Sequence, residues 1–245
     1  MTVSSILEPP APTTLPRVRR VAALALLVLG LVAAGCGNDD GSDEQAGAPG
    51  STSEKQPAAQ KGGCREVQAP APKPDGGESK PKGELAAGST YEVELQTSCG
   101  AFSIRLDQKT SPATSASFAA LAKSGFFDGT VFHRIVPDFV IQGGDPTASG
   151  QGGPGYSTVD KPPPGTTYPR GVVAMAKTEA EAPGTAGSQF YVVTGAEAPL
   201  PPDYAVLGKV VKGLDVTQRI GRLGDPATEM PLQPVVVEKA TLNEN

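Results

Sequence analysis

The sequence predicts a mainly-β domain over residues 89–245, built as a closed antiparallel barrel or a sandwich. Three observations carry this expectation. An alternating apolar pattern runs on both sides of a turn at Ser98 to Gly100. Short apolar runs follow ("TVFHRI", "FVIQ", "GVVAMA", "QFYVV" and "YAVLGKVV"), parted by Gly- and Pro-rich loops. Two segments read as helices, whereas a parallel α/β domain needs a helix after nearly every strand.

The elements follow in order. "YEVELQTSCGAFSIRLD" reads as a hairpin, with Tyr91, Val93 and Leu95 on one face and Phe102, Ile104 and Leu106 on the matching face. "SPATSASFAALAKSG" predicts a helix with Ser111 at the N-cap, Pro112 at its first position and Gly125 closing it. Phe118, Leu121 and Ala122 form its apolar stripe. The longest loop runs from Pro146 to Pro169. "LDVTQRIGRL" predicts a second helix, with Val216, Ile220 and Leu223 on one face, and "QPVVVEKATL" a closing strand. No internal repeat is found.

Ahead of the domain, "RVRR" at 17–20 precedes an uncharged run from Val21 to Gly35. That run is short of the roughly 20 residues a spanning helix needs and fits a signal peptide over residues 1–35. It ends in "VAAGC", which resembles a bacterial lipobox. The resemblance implies that Cys36 is lipidated and begins the mature protein, and two acyl chains suffice for stable anchoring. Residues 36–88 have almost no large apolar side chains. Such a segment cannot bury enough surface to offset its ordering entropy, so a disordered, lipid-anchored tether is expected, reaching about 40 Å. The protein is thus expected outside the cytoplasm, anchored to the cell membrane and monomeric. Cys64 and Cys99 remain as thiols, and outside the cytoplasm two thiols tend to pair. A Cys64–Cys99 disulfide would pin the tether's end to the first hairpin.

Composition excludes several chemistries. A net charge of −5 and a pI near 5.0 would repel nucleic acid. One His and three Cys are too few soft ligands for a conventional zinc site. His133 has no G-x-S-x-G elbow to serve. "GQGGPG" at 150–155 lacks the Lys and Ser/Thr of a phosphate loop. No metal or cofactor is expected.

"FFDGTVFHRIVPDFVIQGGDP", followed in order by "GVVAMA", "GSQFYVVTG" and "YAVLGKV", resembles a cyclophilin, a peptidyl-prolyl cis-trans isomerase, over about residues 89–244. The resemblance implies a closed eight-stranded antiparallel β-barrel capped by two α-helices, acting on proline-containing polypeptides. It implies Arg134, Phe139 and Gln142 as catalytic residues. Val140, Tyr191 and Leu200 would complete a proline slot, while Ala176, Lys177 and Gln189 border the groove and Tyr204 sits at its rim. His133 is expected to be structural. The sequence departs from the usual pattern at Pro199, where Trp is common, and at Tyr191, where Phe is common.

The expected chemistry suits those residue types. An X–Pro bond turns over a barrier of about 18–20 kcal/mol without any bond being made or broken. Catalysis needs only tighter binding of the twisted amide than of either planar form. Twisting restores a lone pair on the prolyl nitrogen, and Arg134 offers a permanently charged fork of N–H donors for it. Strand alternation alone puts Val140 and Gln142 on one face and Phe139 on the other, so periodicity does not gather the site.

Overall fold

The computed structural model describes residues 63–245. The expected signal peptide, the lipidation site Cys36 and the tether up to residue 62 lie outside the described residues.

Two strands, β1 (Tyr91–Thr97) and β2 (Gly100–Leu106), form the expected hairpin. Val93 pairs with Ile104 and Leu95 with Phe102, and all four are buried. Helix α1 (Pro112–Ser124) follows, with Pro112 in its first turn. Ser111 occupies the N-cap but makes no side-chain cap bond. The cap comes instead from the long loop, where Asp160 Oδ2 accepts Thr114 N–H at 2.6 Å. Gly125, left-handed at φ +77, ends the helix, with its N–H on Ala122 O and Phe126 N–H on Leu121 O.

Next come β3 (Arg134–Val136), β4 (Val140–Gly143), β5 (Thr158–Val159), β6 (Tyr168–Pro169), β7 (Val172–Met175), β8 (Thr185–Ala186), β9 (Phe190–Val193) and β10 (Glu197–Ala198). The long β11 (Val206–Lys212), helix α2 (Leu214–Gly221) and β12 (Val237–Glu244) complete the chain. Gly213 enters α2 at φ +73, where a Cβ would meet Ala101 O at 2.3 Å, so only glycine fits this approach.

Eight strands pair antiparallel in the order β12-β1-β2-β11-β7-β9-β4-β3. The sheet curls, and the segment before β3 contacts the segment leading into β12 through the isolated bridge Val131–Val236, with Gly129 N–H on Val237 O (2.7 Å) and Phe132 N–H on Val235 O (3.0 Å). The expected closed barrel is therefore observed as a curled eight-strand sheet with no β3–β12 ladder among the described residues. Phe118, Phe127, Phe132 and Phe190 interlock in the core, with ring centroids 4.6–6.0 Å apart in the contacting pairs. Each fully buried Phe contributes roughly 1.5–3 kcal/mol of transfer free energy.

Residues 63–88 differ from the expected tether, because they lie along the domain as a strap. A Cys64–Cys99 disulfide holds the upstream end, with S–S 2.00 Å. Arg65 N–H donates to Ser98 O (2.8 Å), and Lys73 N–H to Pro146 O (2.8 Å). The Lys73 ammonium caps carbonyls of Gly125, Phe126 and Asp128 at the end of α1. Gly76 N–H then donates to Gly153 O (2.9 Å), and Gly153 N–H donates back to the strap at Asp75 Oδ1 (2.8 Å). Backbone pairing and a covalent staple thus order a segment that buries little apolar surface.

Candidate active site

The register of the sheet answers the question that periodicity left open. Arg134 of β3 pairs with Gln142 of β4, Gln142 with Tyr191 of β9, Tyr191 with Ala174 of β7, and Ala174 with Val206 of β11. These residues form one row across five strands. Phe139 belongs to no strand. It sits in the β3–β4 turn, where Asp138 is left-handed at φ +56 and Phe139 N–H donates to Val136 O (3.1 Å). Strand alternation therefore does not govern it, and its ring joins the row's face.

Arg134, Phe139, Val140, Gln142, Ala176, Lys177, Tyr191, Leu200 and Tyr204 line a single cavity of about 230 Å³. The apolar side is a packed cluster of Val140, Tyr191 and Val193, with Phe139, Leu200 and Tyr204 against it. Tyr204 meets Tyr191 edge-on at 5.8 Å and Tyr168 at 6.2 Å, while the Lys177 ammonium lies 5.5 Å from the Tyr204 ring centre. Tyr191 is buried, its hydroxyl has no partner among the described residues, and burial pushes its phenol well above the ordinary range. The slot wall therefore carries one neutral hydroxyl, unpartnered among the described residues, at the position where the family resemblance implied Phe.

Gln189 lines the neighbouring cavity of about 350 Å³, which shares Gln142, Ala176 and Lys177 with the slot. It is joined to the slot by a chain of amides. Arg134 Nη1–H points to Gln142 Oε1 at 3.4 Å, Gln142 Nε2–H donates to Gln189 Oε1 at 3.0 Å, and Gln189 Nε2–H to Gly152 O at 2.9 Å. Ala176 N–H donates to Gln189 O (2.9 Å), leaving the chain after β7 bordering the groove. Two residues at the site were not expected from sequence. Glu229 Oε2 accepts Arg134 Nε–H at 2.6 Å across a separation of 95 residues. Asp75 of the strap lines the larger cavity. Neither carries a local signal, because only the fold brings them there.

His133 lies beside Arg134 and does not enter the cavity lining. Both its ring nitrogens are buried and have no hydrogen-bond partner among the described residues. Burial lowers its pKa below 6.5, with the Asp145 carboxylate opposing and Arg134 adding to the shift. The unfolded chain takes up a proton near pH 6.5 that the folded chain resists. Stability present above that pH is therefore lost progressively as pH falls below it. As the chain's single His, its C2–H resonance gives one NMR titration curve. A midpoint below 6.5 is expected, and one at or above 6.5 contradicts the buried, neutral role.

A model of the cyclophilin type peptidyl-prolyl cis-trans isomerase/CLD family matches residues 92–242. The chain is 37% identical over 150 residues to peptidyl-prolyl cis-trans isomerase ppi1 of Schizosaccharomyces pombe, covering 60% of this chain and 96% of that protein. It is 37% identical over 152 residues to peptidyl-prolyl cis-trans isomerase-like 1 of Mus musculus, covering 60% and 90%. A crystal structure of a cyclophilin type peptidyl-prolyl cis-trans isomerase from Cryptosporidium parvum superposes with a TM-score of 0.59 at 29% identity, covering 64% of this chain and 99% of that one. The same protein in the presence of the dipeptide Ala-Pro superposes with a TM-score of 0.58 at 28% identity. The family match runs from β1 to β12 and takes in every residue of the slot, so the chain belongs to the cyclophilin type peptidyl-prolyl cis-trans isomerase family.

Proposed function

We propose that this chain is an exported, lipid-anchored peptidyl-prolyl cis-trans isomerase that turns over X–Pro bonds of polypeptides outside the cytoplasm and so assists their folding. The observation that carries the reading is Arg134 at the polar edge of an apolar slot, on a row of paired strand residues with Gln142 and Tyr191.

The slot takes the proline ring against Phe139, Val140, Tyr191 and Leu200. That leaves the prolyl nitrogen toward the guanidinium. As the amide twists, the nitrogen gains a lone pair that only the twisted form presents. A donor fixed there stabilises that form over both planar ones, which lowers the barrier without raising ground-state affinity. Gln142 donates to the substrate carbonyl by exchanging its bond to Gln189 for one to the peptide. Ala176, Lys177, Gln189 and Tyr204 border the bound segment.

Export and anchoring are supported by the basic run at 17–20, the apolar run at 21–35 and the small residues before Cys36. The Cys64–Cys99 disulfide adds an independent argument, since such bonds persist in oxidising compartments. The membrane is then a partner through the lipid, and proline-containing polypeptides are the substrates. A refolding assay limited by one X–Pro step tests the activity. Acceleration by a small fraction of an equivalent supports the reading, and none at equimolar protein overturns it. Mass spectrometry of the mature N-terminus tests the anchor, since a diacylated Cys36 is required.

A further inference from the structure

The segment between α2 and β12 is tightly built. Asp225 Oδ1 accepts the backbone N–H groups of Ala227 (2.8 Å) and Thr228 (3.0 Å). Glu229 N–H donates to Asp225 O (2.8 Å), and Leu232 N–H to Leu223 O (2.7 Å). The backbone bonds from Ala227 and Thr228 hold the Asp225 carboxyl below its usual range. The turn is docked on β3. Ile135 N–H donates to Glu229 O (2.8 Å), and Gly224 lies so close that a Cβ would meet Ile135 O at 2.2 Å.

Within this turn Glu229 is left-handed, at φ +59. A Glu rarely adopts that conformation, and it persists only where the surroundings hold it. Its carboxylate meets Nε, one of the two nitrogens of Arg134 that Gln142 does not contact. Nε–H donates to Glu229 Oε2 at 2.6 Å, while Nη1–H points to Gln142 Oε1 at 3.4 Å. Nη2 has no protein partner among the described residues. The guanidinium is thus gripped from two sides, with one edge left over.

We propose that Glu229 is a positioning residue of the isomerase, whose strained turn fixes the plane of the Arg134 guanidinium so that its free edge faces the prolyl nitrogen. The proposal rests on the role given to Arg134 above and deepens it. A planar fork helps only when its plane is set, and Gln142 alone, at 3.4 Å, leaves it free to swing. The carboxylate acts by geometry. A group that accepts the same bond without the charge therefore serves nearly as well.

Glu229→Gly, Glu229→Gln, Arg134→Ala and the double variant Arg134→Ala/Glu229→Gly are compared by NMR exchange of an Ala-Pro peptide. Glycine suits the left-handed backbone better than glutamate, so Glu229→Gly is expected to melt at or above the wild-type temperature. Its kcat/KM is expected to fall about tenfold, in kcat and not in KM, from misplacement of the donor. Glu229→Gln is expected to stay within about threefold of wild type, and the double variant to match Arg134→Ala. The Arg134 Nε–H resonance should be slowly exchanging in wild type and lost in Glu229→Gly. Wild-type turnover in Glu229→Gly overturns the proposal while leaving Arg134's role intact. Equal losses in the Gly and Gln variants overturn it in favour of a charge effect. An unaffected Arg134→Ala overturns both readings.

Discussion

Arg134→Ala is expected to lower kcat/KM on an Ala-Pro substrate by about 10²- to 10³-fold, the loss seen when one preorganised donor to a developing charge is removed. The loss should fall in kcat, because the apolar slot proposed to hold the proline ring survives the change. Arg134 has 37% of its side chain exposed and packs no core, so the melting temperature should move by no more than about 2 °C. Arg134→Lys is expected to recover little. An ammonium cannot meet Glu229, Gln142 and the prolyl nitrogen from one rigid plane. Steady-state kinetics together with a thermal melt check both halves. An Arg134→Ala protein that keeps wild-type kcat removes the arginine from the chemistry.

Removing the disulfide with Cys64→Ser/Cys99→Ser is expected to destabilise the domain by about 3–4 kcal/mol in the chain-entropy model, given a loop of 35 residues in sequence separation. For a domain of this size that corresponds to roughly 6–16 °C in melting temperature. The β1–β2 turn should survive, because Cys99 N–H stays on Thr97 Oγ1 (3.0 Å) and Arg219 Nη1–H on Cys99 O (2.6 Å). The loss should appear in the strap. Amide exchange at Gly76 and Gly153, whose N–H groups bond across the strap and the groove wall, should rise before that of the sheet strands. A melting shift below about 2 °C would show that the strap holds itself in place without the staple.

The sequence made the local parts of this molecule readable and hid the long-range ones. The first hairpin could be read in register because Val93–Ile104 and Leu95–Phe102 are set by alternation and one short turn. Helix α1 could be read from Pro112 and Gly125, yet its true cap, Asp160, comes from a loop far along the chain. The slot residues came from a family likeness, since alternation placed Phe139 on the wrong face. The left-handed Asp138 turn, which frees Phe139 from that alternation, has no apolar pattern to announce it. The strap was hidden because composition reports apolar burial, and its order comes from backbone bonds and the Cys64–Cys99 link. Glu229 was hidden for a related reason. Its contact with Arg134 exists only once α2 and β12 are in place on the far side of β3.

The proposed export and anchor rest on residues outside the described part of the chain, and the Cys64–Cys99 disulfide supports only the proposed oxidising compartment.

The most direct test of the central claim, that this slot turns over prolyl bonds, is NMR exchange spectroscopy of an Ala-Pro peptide with a small fraction of an equivalent of the wild-type chain. Unaided, the cis and trans resonances interconvert over tens of seconds or longer and show no exchange peaks on this timescale. Exchange peaks that appear with wild type and vanish with Arg134→Ala are predicted. Resonances that shift on binding while no exchange peaks appear would contradict the account and leave a module that holds proline segments without isomerising them.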